Sequence, residues 1–224
     1  MYPADALDWI KSAEISSDSS FVASLPDISE FPDLTESSWR DWFVNTAELI
    51  LNKTPANGVT VFFQSDIRLA GRWVDKGYLC YVAAERSGHS LVWHKIAARV
   101  APGKPTFGRA GYSHILCFAR GVTAKFPPPH STPDILEHVG EKTWTRGMGL
   151  DACLFVAKFI AQQIKSRVII NPFCGHGSML AAANAVGCDA IGIEKSPKRA
   201  KKAGLLQLDL ETHRWITDFK GQQS

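Results

Sequence analysis

The chain has 224 residues, 45% of them apolar, and a formal net charge of +3; that length fits one large domain and leaves little room for an independent second one. It has no run of 18 apolar residues, which excludes a membrane-spanning helix, and its mild basicity confines any nucleic-acid surface to a local patch. Cys80, Cys117, Cys153, Cys174 and Cys188 show no CxxC spacing and no paired histidines, so neither a zinc site nor a disulfide framework is expected, and a soluble protein of a reducing, intracellular compartment is.

The first twenty residues are acidic, Ser-rich and interrupted by Pro3, unlike a secretory leader. Phe21 to Leu25 is an apolar strand that stops at Pro26-Asp27. Thr35 or Ser37 caps a helix whose apolar positions Trp39, Phe43, Ala47 and Ile50 keep helical spacing to Asn52, and Pro55-Ala56-Asn57-Gly58 closes it. Val59 to Phe63 is a strand of β-branched and aromatic residues. Ile67 to Lys76 reads as a helix, Tyr78 to Ala83 as a strand, and Ser90 to Trp93 as a strand after Gly88. The segment from Ile96 to Gly111, with Pro102-Gly103 and Pro105, reads as a loop, His114 to Ala119 as a strand, and Pro127-Pro128-Pro129 as a surface loop. Leu150 to Ile164 is a helix, Arg167 to Ile170 a strand, Met179 to Val186 a small-residue helix, and Ala190 to Ile193 a strand that ends on Glu194. Leu205 to Leu210 and Trp215-Ile216 look ordered. Strands alternating with helices imply an α/β fold, a mixed, mostly parallel sheet covered on both faces.

Between the strand ending at Ile170 and the helix from Met179 lies Asn171-Pro172-Phe173-Cys174-Gly175-His176-Gly177-Ser178. Strand, glycine turn and small-residue helix make a nucleotide-type pocket at a strand's carboxyl end, and Glu194 stands where a ribose presents its hydroxyls. A dinucleotide fingerprint would need a third glycine where Leu180 stands, so a nicotinamide cofactor is the weaker reading and close helix-to-strand packing is not expected there.

The string from Asn171 to Glu194 resembles the S-adenosylmethionine-dependent methyltransferases of the DNA/RNA amino-methyltransferase type, which read Asp-Pro-Phe-x-Gly-x-Gly-(Ser/Thr) and then Ile-Gly-Ile-Glu. Asn171 in place of Asp keeps hydrogen-bonding capacity and removes a charge. The resemblance implies a Rossmann-like methyltransferase fold and S-adenosyl-L-methionine held by Asn171, Pro172, Phe173, Cys174, Gly175, His176, Gly177, Ser178 and Glu194. The late glycine loop further resembles the permuted group, in which the target-base half comes first. It implies a single domain with a target half at 1–125, a loop at 126–143 and a cofactor half at 144–224. Trp93-His94-Lys95 and the strand ending in Arg120-Gly121 are similar to that group's target half. Arg146, Gly147 and Met148 occupy, by position only, its segment that packs on the cofactor.

By the same resemblance Ser24-Leu25-Pro26-Asp27 takes the place of the (Asp/Asn/Ser)-Pro-Pro-aromatic tetrapeptide that closes over the target base, so Ser24, Pro26 and Asp27 are the catalytic candidates. Asp27 replaces a stacking ring: it either serves the base, as a proton acceptor or a partner of a guanine edge, or caps the following turn. Phe31, Trp39 or Trp73 are candidates to supply a stack. The histidines His94, His114, His130, His138 and His176 have no mutual metal spacing, and no metal is expected. Lys104, Arg109 and Arg120, and the cluster Lys195, Lys198, Arg199, Lys201 and Lys202, are candidate phosphate contacts or solvated charges. The function implied is methyl transfer to a nucleobase, with RNA favoured over DNA because no separate segment remains to read a duplex. The alternatives are a non-catalytic subunit that binds RNA or a catalytic partner, and a protein or small-molecule methyltransferase; a homodimer or partner subunit is left open.

Overall fold

The computed structural model describes residues 1–123 and 131–216. In chain order the elements are α1 (Ala6–Ser12), β1 (Ser19–Ala23), α2 (Glu36–Lys53), β2 (Thr60–Gln64), β3 (Ile67–Leu69), β4 (Arg72–Val74), α3 (Lys76–Arg86), β5 (Ser90–Ala98), β6 (Tyr112–Ala119), β7 (Ile135–Leu136), α4 (Leu150–Phe159), β8 (Val168–Asn171), α5 (Ser178–Ala185), β9 (Asp189–Gly192), α6 (Pro197–Leu205), β10 (Gln207–Asp209) and β11 (Arg214–Ile216).

Seven strands form one sheet in the order β7-β5-β6-β2-β1-β8-β9, and β3-β4 and β10-β11 are separate hairpins. β1 is parallel to both β2 and β8, β8 is parallel to β9, and β6 runs antiparallel to β2 and β5. The carboxyl ends of β9, β8, β1, β2 and β5 therefore share one edge with the amino end of β6. Side chains alternate between faces along each strand. Phe21, Ala23, Phe62 and Ile170 pack under α1, α2 and α3. Val22, Val61, Ile169 and Ile115 pack under α4 and α5. The mixed, mostly parallel sheet with helices on both faces agrees with the sequence reading.

Thr35 caps α2 as expected, accepting from the Ser38 amide at 3.2 Å. The helix from Leu150 is also found, with its last turn, Ile160–Ile164, widened to π form and ended by Lys165 at φ 62°. Three expectations fail. Ile67 to Lys76 is not a helix but the hairpin β3-β4, because Ala70 and Gly71 adopt φ 46° and 81° and turn the chain back. Tyr78 to Ala83 is not a strand but lies inside α3. Asp75 accepts from the Tyr78 amide at 2.8 Å, and Leu79, Cys80, Ala83 and Ala84 are buried at helical spacing. The loop predicted from Ile96 starts only at Arg99, since β5 continues to Ala98. The short α1, capped by Asp5, was not predicted. Pro127-Pro128-Pro129 and His130 lie outside the described residues.

Candidate active site

Where β8 ends, Asn171 turns the chain by accepting from the Phe173 amide through Oδ1 at 3.3 Å. Its Nδ2 is buried with no partner among the described residues. The Cys174 amide donates to Ile193 O at 3.1 Å, fastening the loop to the end of β9. Gly175 and Gly177 adopt φ 55° and 84°, the left-handed region that costs a side chain strain. A Cβ at Gly177 would lie 2.7 Å from Cα and O of Ala203, so this glycine lets the loop rest on α6. Gly177 caps α5 without a side-chain bond, which leaves first-turn amides facing the loop. Close packing of α5 on β9 does occur, contrary to the reading of Leu180. The room comes from the strand: a Cβ on Gly192 would meet Leu180 Cδ1 at 2.4 Å.

Glu194, just past β9, is 9% exposed. Its Oε1 accepts from the Ser196 amide at 2.8 Å and lies 3.7 Å from Arg199 Nε. No partner of Oε2 is found among the described residues. Ser178 Oγ meets Thr143 Oγ1 at 2.9 Å. Trp144 stacks on His176, centroids 5.1 Å apart at 24°, with the Arg199 guanidinium 6.0 Å from its ring. Phe173 points into the core beside Trp42, and Cys174 is buried with its thiol pushed up to about 12, by burial first and then by Glu194. Of the later trio, Gly147 packs on Trp144, Met148 joins the core, and Arg146 reaches Glu30 at 3.6 Å. Trp144, which stacks on the loop, was missed from sequence; its only signal was an aromatic two residues before Arg146. The basic cluster starts before α6 and runs along it, and Lys195 reaches Asp5 at 3.5 Å.

His176 has a lowered pKa, through burial first and then through Lys202 and Arg199; burial likewise lowers His89 and His94. A histidine depressed in the folded state stabilises the fold above its unfolded pKa of about 6.5, and that contribution is lost as pH falls through the lower folded value. The thermal midpoint should therefore drop as pH falls below about 6.5. His176→Gln should flatten that slope in a pH series of melting curves.

The other corner follows β1, the strand beside β8. Leu25 is buried beneath α2, and Pro26 O accepts from Trp39 Nε1 at 3.3 Å. Asp27 sits at the start of a single 3-10 turn, Ile28–Glu30, yet makes no capping bond with its side chain. Its Oδ1 instead takes the ammonium of Lys76, whose side chain is 4% exposed against 34% for Asp27. The capping reading of Asp27 is thereby set aside, and Lys76 joins the candidate site, a residue that the misread α3 concealed. Trp39 is fully buried and cannot stack on a base; Phe31 packs on Trp42 at 4.5 Å, and Trp73 is 52% exposed on its hairpin. The chain Phe31-Trp42-Phe173 physically joins the two corners.

Beside Lys76, Asp66 accepts from the Lys76 amide at 2.9 Å and from Tyr112 Oη at 2.8 Å, and contacts His114 Nε2 at 3.2 Å. Burial would raise this carboxyl, but the hydrogen bonds outweigh it and its pKa is lowered. His114 Nδ1 lies 3.0 Å from His94 Nε2. Two of the histidines that showed no metal spacing, His94 and His114, are thus brought together. Asp66, Asp75 and His114 place ligand-type atoms within 4.8 Å of one another, but those of Asp66 and Asp75 already serve as caps of α3. Arg99 bonds Ser65 Oγ at 2.7 Å and feels the charges of Asp27 and Arg109. Hollows of 310 and 490 Å³ lie elsewhere, one beside α1 and one at the amino end of β8.

No protein-family model and no curated protein sequence matches the chain. Solved structures do. TTHA0409 of Thermus thermophilus, a candidate DNA modification methylase complexed with S-adenosyl-L-methionine, is 18% identical over 90% of this chain and 91% of its own, with a TM-score of 0.67. The PvuII cytosine-N4-specific DNA methyltransferase is 14% identical over 91% and 84%, TM-score 0.70. M1.HpyAVI in its SAM complex is 15% identical over 91% and 96%, TM-score 0.56. Strand order, loop and sheet edge together give this chain the Rossmann-like methyltransferase fold that these proteins carry.

Proposed function

We propose that the chain is an S-adenosylmethionine-dependent methyltransferase acting on an exocyclic amine of a nucleobase, with residues 1–125 presenting the base and 144–224 holding the cofactor. The observation that carries this reading is the placement of the Asn171–Ser178 bend and the Ser24–Asp27 corner at the carboxyl ends of neighbouring parallel strands. The donor set suits the cofactor: a buried Asn171 Nδ2 and a Glu194 carboxylate oxygen that have no partner among the described residues, and first-turn amides at the start of α5. When bound, S-adenosylmethionine supplies an electrophilic methyl group on a sulfonium sulfur.

The chain's own part is positioning. Glu194 fixes a ribose, the bend fixes the methionine portion, and Ser24 accepts from the target amine so that its lone pair faces the methyl. Such alignment is worth on the order of 7–11 kcal/mol in favourable cases. The preference for RNA over DNA gains no support from the solved relatives, since two of the three are named for DNA, and the polymer is left to the assay. Labelled S-adenosylmethionine incubated with DNA, RNA and protein should label nucleic acid, with affinity that falls steeply as salt rises. Label in protein alone would contradict the reading. Failure to bind the cofactor by calorimetry would favour the non-catalytic alternative.

A further inference from the structure

Three bases carry an exocyclic amine, and they differ in the ring atom beside it: adenine N1 and cytosine N3 are acceptors, guanine N1–H is a donor. The group that stands in for the stacking ring here is a carboxylate. Lys76 occupies its Oδ1, Oδ2 has no donor among the described residues, and Asp27 is the more exposed member of the pair. The ammonium lies beneath it. An incoming base edge therefore meets a negatively charged acceptor, which repels the lone pair of adenine N1 or cytosine N3 and receives guanine N1–H.

Resting on the function proposed above, we infer that Asp27, held in place by Lys76, selects guanine and directs the methyl group to its N2 amine. Asp27 acts on the substrate directly; Lys76 is a positioning residue. In the step, guanine N2 forms the new N–C bond as the methyl C–S bond breaks. The sulfonium becomes a neutral thioether, and N2 releases one proton to water. Two further features fit a target of this kind. Pro26 O is tied to Trp39, which fixes the turn that aims Asp27. Arg99, held by Ser65 Oγ at 2.7 Å, feels the charge of Asp27 and can neutralise a phosphate of the same nucleotide.

The test uses the wild-type chain with labelled S-adenosylmethionine and matched oligonucleotides of DNA and RNA, in which guanine is present, replaced by inosine, or absent. Label should enter only the guanine-containing strands, as N2-methylguanine by mass spectrometry, and inosine, which lacks the 2-amino group, should abolish it. Label in adenine or cytosine would overturn the inference while leaving the methyltransferase reading intact. No label in any strand would remove both. Asp27→Asn should lower kcat/KM on guanine roughly 10- to 100-fold, the discrimination of one good base contact, without changing the dissociation constant for S-adenosylmethionine. Lys76→Met, which keeps the buried length of the side chain, should narrow the preference for guanine over adenine. An unchanged ratio in a folded Lys76→Met protein would contradict the positioning role.

Discussion

Gly177→Ala is expected to abolish measurable S-adenosylmethionine binding and to lower the thermal midpoint by several degrees. Two costs coincide at this position. The residue sits at φ 84°, and the added Cβ would lie 2.7 Å from the Ala203 backbone, which has no flexible end to move aside. Left-handed backbone in a residue other than glycine costs on the order of 1–3 kcal/mol, and the clash must additionally push the bend away from α6. Gly187 provides the control, because it has nearly the same φ, 85°, with nothing within 4 Å of a new Cβ. Gly187→Ala should show the backbone cost alone and keep cofactor affinity. Calorimetry and melting curves on both variants check this; equal behaviour would mean that the bend does not depend on its seat against α6.

Trp39→Ala carries the largest expected loss of stability, roughly 3–5 kcal/mol, as for a large aromatic removed from a core. Trp39 is fully buried, packs edge-on against Phe43 at 5.6 Å, and donates to Pro26 O. Trp39→Phe separates the roles: it keeps most of the packing and loses a bond worth about 1 kcal/mol. The freed Pro26 carbonyl loosens the turn ahead of Asp27, so activity should fall further than that small stability loss accounts for. Denaturant titration of both variants, with transfer assays at a temperature where they remain folded, measures the two effects apart.

These two positions also show which features were legible in the sequence. The Asn171–Ser178 bend was readable because its neighbours are unambiguous: an apolar run before it, small residues after it, and glycines where the backbone turns left-handed. α2 was readable for a similar reason, since Thr35 and the spacing of Trp39, Phe43, Ala47 and Ile50 agree on one helix. The stretch from Ile67 to Arg86 was misread because its signals are short and conflict. Tyr78-Leu79-Cys80-Tyr81-Val82 has strand-like composition, yet Asp75 supplies a cap and the α2 face supplies an apolar surface, and packing prevails over propensity. That error hid Lys76. A lysine at the start of a helix gives no sequence sign of burial, and its ion pair with Asp27 joins residues 49 positions apart. Asp27 itself was read as departing from its motif, but what the departure does follows only from the partner that the fold provides. The network of His94, His114 and Asp66 was invisible for the same reason, being assembled across β5, β6 and the turn after β2.

The most direct test of the central claim is a crystal structure of the chain with S-adenosyl-L-methionine. The ribose hydroxyls should lie on Glu194, the methionine portion against the Asn171–Ser178 bend, and the methyl group should turn toward Ser24 and Asp27. A cofactor bound at another edge of the sheet, or none at saturating concentration, would contradict it.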